Sequence, residues 1–171
     1  MNLKKALLKD HSRAHALYLA DYIRQDEDRF GELMQLFFDE PYLITQRAAW
    51  VVGICGEKHP SLIMPYLEKM ILNLDNDIHD AVKRNSLRIL QDMDLPDNLI
   101  GPAADICFRL LSARDEPVAV KVFSMTVLLN VVKKVPELKN ELKIIIEDQM
   151  PYGSAGFVSR GRKTLQALSK I

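Results

Sequence analysis

Asp39-Glu40-Pro41 recurs as Asp115-Glu116-Pro117, and Asp77 lies midway between them, 38 residues from Asp39 and 38 from Asp115. An amphipathic pattern follows each of the three positions. An acidic residue followed by proline is typical of a helix start, because proline lacks an N–H that the first turn could not use, and the carboxylate stabilises the positive end of the helix dipole. The spacing therefore predicts a structural repeat of about 38 residues.

A second series of prolines marks the middle of each predicted repeat. Pro60, Pro96 and Pro136 each interrupt an apolar pattern of helical period, as expected where one helix ends and the next begins. The predicted first helices cover about residues 40–56, 77–93 and 116–133, and the second helices cover about 60–74, 96–112 and 136–149. The predicted repeats are residues 10–38, 39–74, 77–112 and 115–149, followed by a final helix at 156–170, all within a single domain of residues 1–171.

The first helix of one repeat carries a recognisable order of residue types. Arg47-Ala48-Ala49-Trp50-Val51-Val52-Gly53-Ile54 combines a basic residue, small residues, an apolar run and a glycine, whose equivalents in later repeats are Leu90 and Leu128. With the period of about 38 residues and the mid-repeat proline, this stretch resembles the HEAT-repeat family, and armadillo-like or other α-solenoid assignments also fit.

The resemblance implies both a fold and a kind of function. The expected fold is all-α, a right-handed α-α superhelix of about four helical hairpins plus a C-terminal helix, with the second helices lining a concave face. Stacked hairpins offer an extended, rigid surface, so the expected function is that of a non-catalytic scaffold or adaptor that binds a partner protein or peptide on that face.

Composition limits the other function classes. The chain has 171 residues, of which 48% are hydrophobic and 27% charged, and its 23 basic residues equal its 23 acidic ones. This balance does not favour nucleic acid as the default partner. No apolar run approaches the roughly 18 residues that a membrane span requires, and residues 1–9 lack the apolar core of a signal peptide, so the expected location is cytoplasmic. Cys55 and Cys107 are predicted to be buried apolar residues in a reducing compartment.

No constellation of residues predicts catalysis, a metal or a cofactor. His11 and His15 lie four residues apart on a predicted helix, but no third zinc ligand is identifiable, and Asp10 is predicted to be a helix N-cap. The acidic clusters fall at helix starts, where capping and the helix dipole explain them. No serine lies in a nucleophile elbow, and Trp50 is predicted to pack in the core.

Charge is unevenly distributed along the chain. Residues 117–171 carry 9 basic and 4 acidic side chains, and Arg160, Arg162 and Lys163 give this segment a basic end. Such an end could contact an acidic protein, a phosphate or nucleic acid, or could be a solvated capping face. Some HEAT-like proteins are DNA glycosylases for alkylated bases, so the resemblance implies an alternative function: a nucleic-acid-binding HEAT-like protein related to alkylpurine DNA glycosylases that uses this basic C-terminal end.

Two apolar residues fall outside the inward stripes of the second helices. Leu72 and Phe108 are 36 residues apart, as are Pro60 and Pro96, so they occupy equivalent positions in successive repeats. They are predicted to form an apolar partner-binding patch on the inner surface; the alternative is that they simply pack between repeats.

Overall fold

The computed structural model describes residues 1–171 and contains α-helices and short 3-10 turns but no β-strand. The α-helices are α1 (Leu3–Lys9), α2 (Arg13–Ile23), α3 (Glu27–Asp39), α4 (Tyr42–Lys58), α5 (Leu67–Asn73), α6 (Asp80–Leu90), α7 (Asp97–Ser112), α8 (Val118–Lys134), α9 (Lys139–Gln149) and α10 (Ala155–Leu168). The 3-10 turns are Pro60–Leu62, Met64–Tyr66, Pro136–Leu138 and Met150–Tyr152. The predicted all-α chain of repeated helical pairs is confirmed. None of these helices combines the length and the apolar character required to cross a membrane.

The chain divides into two compact units, residues 1–89 (unit 1) and residues 90–171 (unit 2). In unit 1, α4 packs against α1, α2 and α3. Ala48 and Ala49, both fully buried, allow close approach of the helix backbones at this position. In unit 2, α8 has the corresponding role and packs against α7, α9 and α10, with Val120, Leu128 and Val132 fully buried. The assignment of residues 1–171 to a single domain stays a prediction.

The first helix of the chain was not among the predicted elements, because seven residues are too few to show a helical period. α1 is held by its fully buried Leu3 and by Leu7, which is 2% exposed. Its last carbonyls, which have no partner within the helix, are satisfied from elsewhere. Nη1 of Arg47 donates to the carbonyl oxygen of Leu7 at 2.9 Å, and Nε2 of His15 bonds that of Ala6 at 2.8 Å.

The start of α2 corrects the predicted cap. Ser12, not Asp10, is the N-cap, and its Oγ accepts a hydrogen bond from the backbone N–H of His15 at 3.2 Å. The Ser12 hydroxyl donates in turn to Oδ2 of Asp10 at 2.5 Å, and this hydrogen bond lowers the pKa of the exposed Asp10 carboxyl. The prediction was wrong because either residue type caps helices well and the sequence does not show which one adopts the capping geometry.

The prolines lie at the predicted breaks. Pro41, Pro96 and Pro117 are the N-caps of α4, α7 and α8, and Pro136 begins a 3-10 turn before α9. The helix predicted over residues 60–74 is different, since two 3-10 turns precede α5 there. Pro65 lies in the first residues of the second 3-10 turn, where its missing N–H needs no partner.

Gly53 lies where α4 approaches a buried side chain of α6. A Cβ atom on Gly53 would stand 3.1 Å from Oδ1 of Asn85, which is 3% exposed and is fixed by a 2.8 Å hydrogen bond from its Nδ2 to the carbonyl oxygen of Ala81. We expect Gly53→Leu to lower the free energy of unfolding by about 1–3 kcal/mol through overpacking. Urea unfolding followed by circular dichroism measures the change.

Gly101 provides the control, because a Cβ atom there would meet nothing within 4 Å. Replacing a helical glycine by alanine at an open position is expected to raise stability by about 0.5–1 kcal/mol. If the Gly53→Leu variant were as stable as the wild type, the close approach to Asn85 would not constrain this position.

Candidate functional site

Unit 1 contains an open cleft where the α3–α4 turn faces the connection between α5 and α6. This cleft, named cleft A, encloses about 210 Å³. Tyr42 on its rim is 62% exposed, and its ring centroid lies 4.9 Å from that of His79, which also lines the cleft. Nζ of Lys69 stands 4.3 Å above the ring of Phe38, another lining residue. Cleft A therefore exposes aromatic surface that the core of unit 1 does not use.

Unit 2 contains a larger cleft between the α7–α8 turn and the connection between α9 and α10. This cleft, named cleft B, encloses about 490 Å³. Its rim includes Val118, which is 42% exposed, and Tyr152, which is 91% exposed. Val118 and Tyr152 therefore present apolar and aromatic surface to solvent at the rim of cleft B.

Clefts A and B are lined by residues at the same positions of the repeat. Seven lining residues of cleft A have a counterpart in cleft B that is 76 residues later, which is two periods of 38. The pairs are Phe38 and Arg114, Glu40 and Glu116, Tyr42 and Val118, Thr45 and Lys121, Asn73 and Gln149, Asp77 and Gly153, and Ile78 and Ser154. The cleft is therefore a recurring product of the repeat and not an accident of one loop.

The floor of cleft B is held by a hydrogen-bonded amide. Oε1 of Gln149 accepts from Nζ of Lys121 at 3.0 Å, and Nε2 of Gln149 donates to the carbonyl oxygen of Leu111 at 3.0 Å. One side chain thus connects the ends of α7 and α9 to the start of α8. Behind Gly153, the ring of the buried Phe157 stands 2.8 Å from where a Cβ atom would be, so the wall of the cleft needs a glycine there.

The predicted patch residues differ in their surroundings. Leu72 on α5 is 52% exposed and borders an open groove of about 440 Å³ that shares Asn73 with cleft A. Phe108 on α7 is half-buried. Leu72 lies in unit 1 and Phe108 in unit 2, so each is considered within its own unit, and Leu72 is the one that borders a cleft.

The predicted basic end lies on α10, where only part of it is exposed to solvent. Arg160 is half-buried, and its guanidinium donates a hydrogen bond to Oγ1 of Thr126 on α8, which gives it a packing role. Arg162 and Lys163 are exposed. Among the neighbouring cations, Lys134 is paired with Asp94 at 2.6 Å.

His11 and His15 contact neighbouring helices, and the two cysteines are buried. The ring of His11 packs edge-on against that of Trp50 with centroids 5.3 Å apart, and His15 bonds the end of α1 as described above. No group of three or more His, Cys, Asp or Glu side chains is arranged to hold a metal ion. The predicted burial of Cys55 and Cys107 is confirmed, since each is 1% exposed.

Both clefts escaped prediction from the sequence, although one signal pointed to them. The repeated Asp-Glu-Pro tripeptide predicts a helix start, and Glu40 and Glu116 within it also line the two clefts. A second repeated tripeptide, Met64-Pro65-Tyr66 and Met150-Pro151-Tyr152, forms 3-10 turns, and the latter supplies the exposed Tyr152. Residues that recur at the same repeat position and are exposed in the fold are the ones that indicate the clefts.

A comparison with protein families found one match. The family model described as the HEAT repeat domain matches residues 3–168, nearly the whole chain. The comparisons with curated proteins and with solved structures found no match.

Proposed function

Because this chain belongs to the HEAT repeat domain family, we propose that it is a non-catalytic scaffold or adaptor that binds a partner protein through the clefts of its repeats and the neighbouring surface of its second helices. HEAT-type hairpins present rigid, extended surfaces, so a peptide segment can be recognised at little cost in ordering the scaffold. In this proposal the binding surface of unit 1 is cleft A with Leu72, and that of unit 2 is cleft B with Phe108.

The observation that carries the proposal is the recurrence of an exposed cleft at one repeat position. Repetition of buried residues is required for any repeat protein to fold, but repetition of an exposed apolar rim is not. Tyr42 and Val118 occupy the same rim position two periods apart, and their exposed fractions are 62% and 42%. Exposed apolar surface in a concave site is characteristic of places where partner side chains insert.

Nucleic-acid binding is the alternative proposal, and it has less support. Few cations on α10 are free to bind a phosphate, because the guanidinium of Arg160 is hydrogen-bonded to Thr126. A basic stripe would have to continue through Lys133, Lys134, Lys139 and Lys143, of which Lys134 and Lys143 lie near Asp94 and Glu147 respectively. A sequence-independent grip on phosphates requires several uncompensated cations.

We expect Leu72→Asp to reduce partner capture at least about tenfold, because a carboxylate would have to be desolvated against an apolar partner surface. The measurement is affinity capture from native lysate with the intact chain as bait, quantified by mass spectrometry. Leu8→Asp is the matched control, since Leu8 is 43% exposed in the same unit but lines neither cleft.

Equal capture by the Leu72→Asp and Leu8→Asp variants would remove the second-helix surface of unit 1 from the proposal. Circular dichroism spectra and thermal melting of both variants show whether the fold is retained. Phe108→Ser extends the same comparison to unit 2, with melting as its essential control because Phe108 is half-buried.

A further inference from the structure

The two equivalent clefts differ in charge. Where cleft A has Phe38, cleft B has Arg114. Where cleft A has Thr45, cleft B has Lys121. The exposed carboxylate of Asp77 in cleft A is replaced by a glycine in cleft B. All three differences make cleft B more positive at positions that the repeat holds in common.

The cations of cleft B have no carboxylate partner. Arg114 is exposed, and neither it nor Lys121 forms an ion pair, whereas the exposed Lys58 and Lys134 do. The ammonium of the half-buried Lys121 bonds only the neutral amide of Gln149. Glu116 and Asp148 in the same lining balance the two cations in number, so an anion would be held by direct hydrogen bonds to Arg114 and Lys121 and not by a net positive charge of the cleft.

Two carboxylates also line cleft B and limit what the anion can be. Glu116, which already has an interaction partner, and the exposed Asp148 both lie along it. They would repel a chain of phosphates, which presents closely spaced negative charges. A single carboxylate is repelled less than such a chain, and an apolar side chain beside it suits the exposed rim of Val118 and Tyr152.

We infer that cleft B binds a peptide segment of a partner protein in which a single acidic residue adjoins an apolar one. The acidic side chain contacts Arg114 and Lys121, and the apolar side chain lies against Val118 and Tyr152. The inference rests on the proposed function, because it names the chemistry of the partner at one of the proposed clefts. It also gives the two clefts different specificities, since cleft A lacks the equivalent cations.

Selection from a phage-displayed library of random heptapeptides tests the inference without knowledge of the natural partner. The intact wild-type chain should enrich peptides with Asp or Glu next to an apolar residue. A fluorescent copy of an enriched peptide should bind about tenfold more weakly to Arg114→Glu and about threefold more weakly to Lys121→Gln. Lys163→Glu, an exposed cation outside the cleft, should leave binding unchanged, and Asn in place of the peptide's Asp should weaken it.

The remaining outcomes distinguish the inference from the proposed function. Binding that survives Arg114→Glu but is lost in Val118→Asp would overturn the acidic specificity and keep cleft B as a peptide site. Failure to enrich any peptide, or binding indifferent to both variants, would count against both. Competition by inorganic phosphate or by a 20-residue oligothymidylate, with the same dependence on Arg114, would identify an anion site for phosphate and overturn the inference. Circular dichroism confirms that each variant is folded.

Discussion

Phe30→Ala is expected to lower the free energy of unfolding of unit 1 by about 3–5 kcal/mol, the range typical of deleting a fully buried aromatic ring. Phe30 on α3 is 1% exposed, and its ring meets that of Tyr66 edge to face with centroids 5.8 Å apart. Removal of the ring therefore loses apolar burial, leaves a cavity and breaks an aromatic pair.

Trp50 makes this measurement specific to unit 1, because it is the only tryptophan of the chain and lies on α4, which packs against α3. Urea unfolding at constant pH, followed by Trp50 fluorescence, gives the free energy. Phe38→Ala is the matched control on the same helix, since Phe38 is half-buried and its ring is covered on one face by Lys69. We expect a loss below about 2 kcal/mol in the control; equal losses in both variants would contradict the burial on which the argument depends.

Most helix boundaries could be predicted because they are set by local chemistry. α7 was predicted at about 96–112 and is Asp97–Ser112, and α8 was predicted at about 116–133 and is Val118–Lys134. Proline fixes the backbone of its own residue and needs no tertiary partner to do so. Where stability comes from packing instead, prediction failed, as in α1, which exists because Leu3 and Leu7 are buried by other helices.

The clefts could not be predicted, because each is formed by two turns far apart in sequence. Glu40 and Asp77 line cleft A together only after α3, α4 and α5 have packed. Leu72 and Phe108 instead depart from the inward stripe of their helices, and such a departure reports direction on one helix and not depth in the fold. Leu72 is exposed, whereas Phe108 is half-buried.

The two cysteines are expected to be almost unreactive in the native protein. Burial raises the pKa of both the Cys55 and the Cys107 thiol from 9.0 to about 12, and the neighbouring Ser124 hydroxyl offsets part of the effect at Cys107. At pH 8 the reactive thiolate is therefore about 1,000-fold scarcer in the folded than in the unfolded chain. Labelling with 5,5′-dithiobis(2-nitrobenzoate) should be slow in buffer and complete within seconds in concentrated guanidinium chloride.

The sign of the pH dependence follows from the direction of these shifts. Both pKa values are raised by folding, so the stability associated with the neutral thiols is present below pH 9 and is lost as the pH rises from 9 towards 12. Alkaline solution should therefore lower the urea midpoint, and replacement of both cysteines by alanine should reduce that dependence. If the double variant is as sensitive to alkaline pH as the wild type, that sensitivity comes from lysines or tyrosines instead.

Labelling also reports each unit separately, because Cys55 lies in unit 1 and Cys107 in unit 2. In a Cys107→Ala background, Phe30→Ala should accelerate the labelling of Cys55 by about 100-fold or more, since the population of the open state rises as unit 1 loses stability. Phe38→Ala should accelerate it much less. Native labelling of Cys55 at the rate of a free thiol would contradict its burial within α4. Acceleration by Phe30→Ala would show instead that the packing of α3 on α4 protects Cys55 from the reagent. Cys55 lies on α4, the helix that contains the HEAT-like stretch.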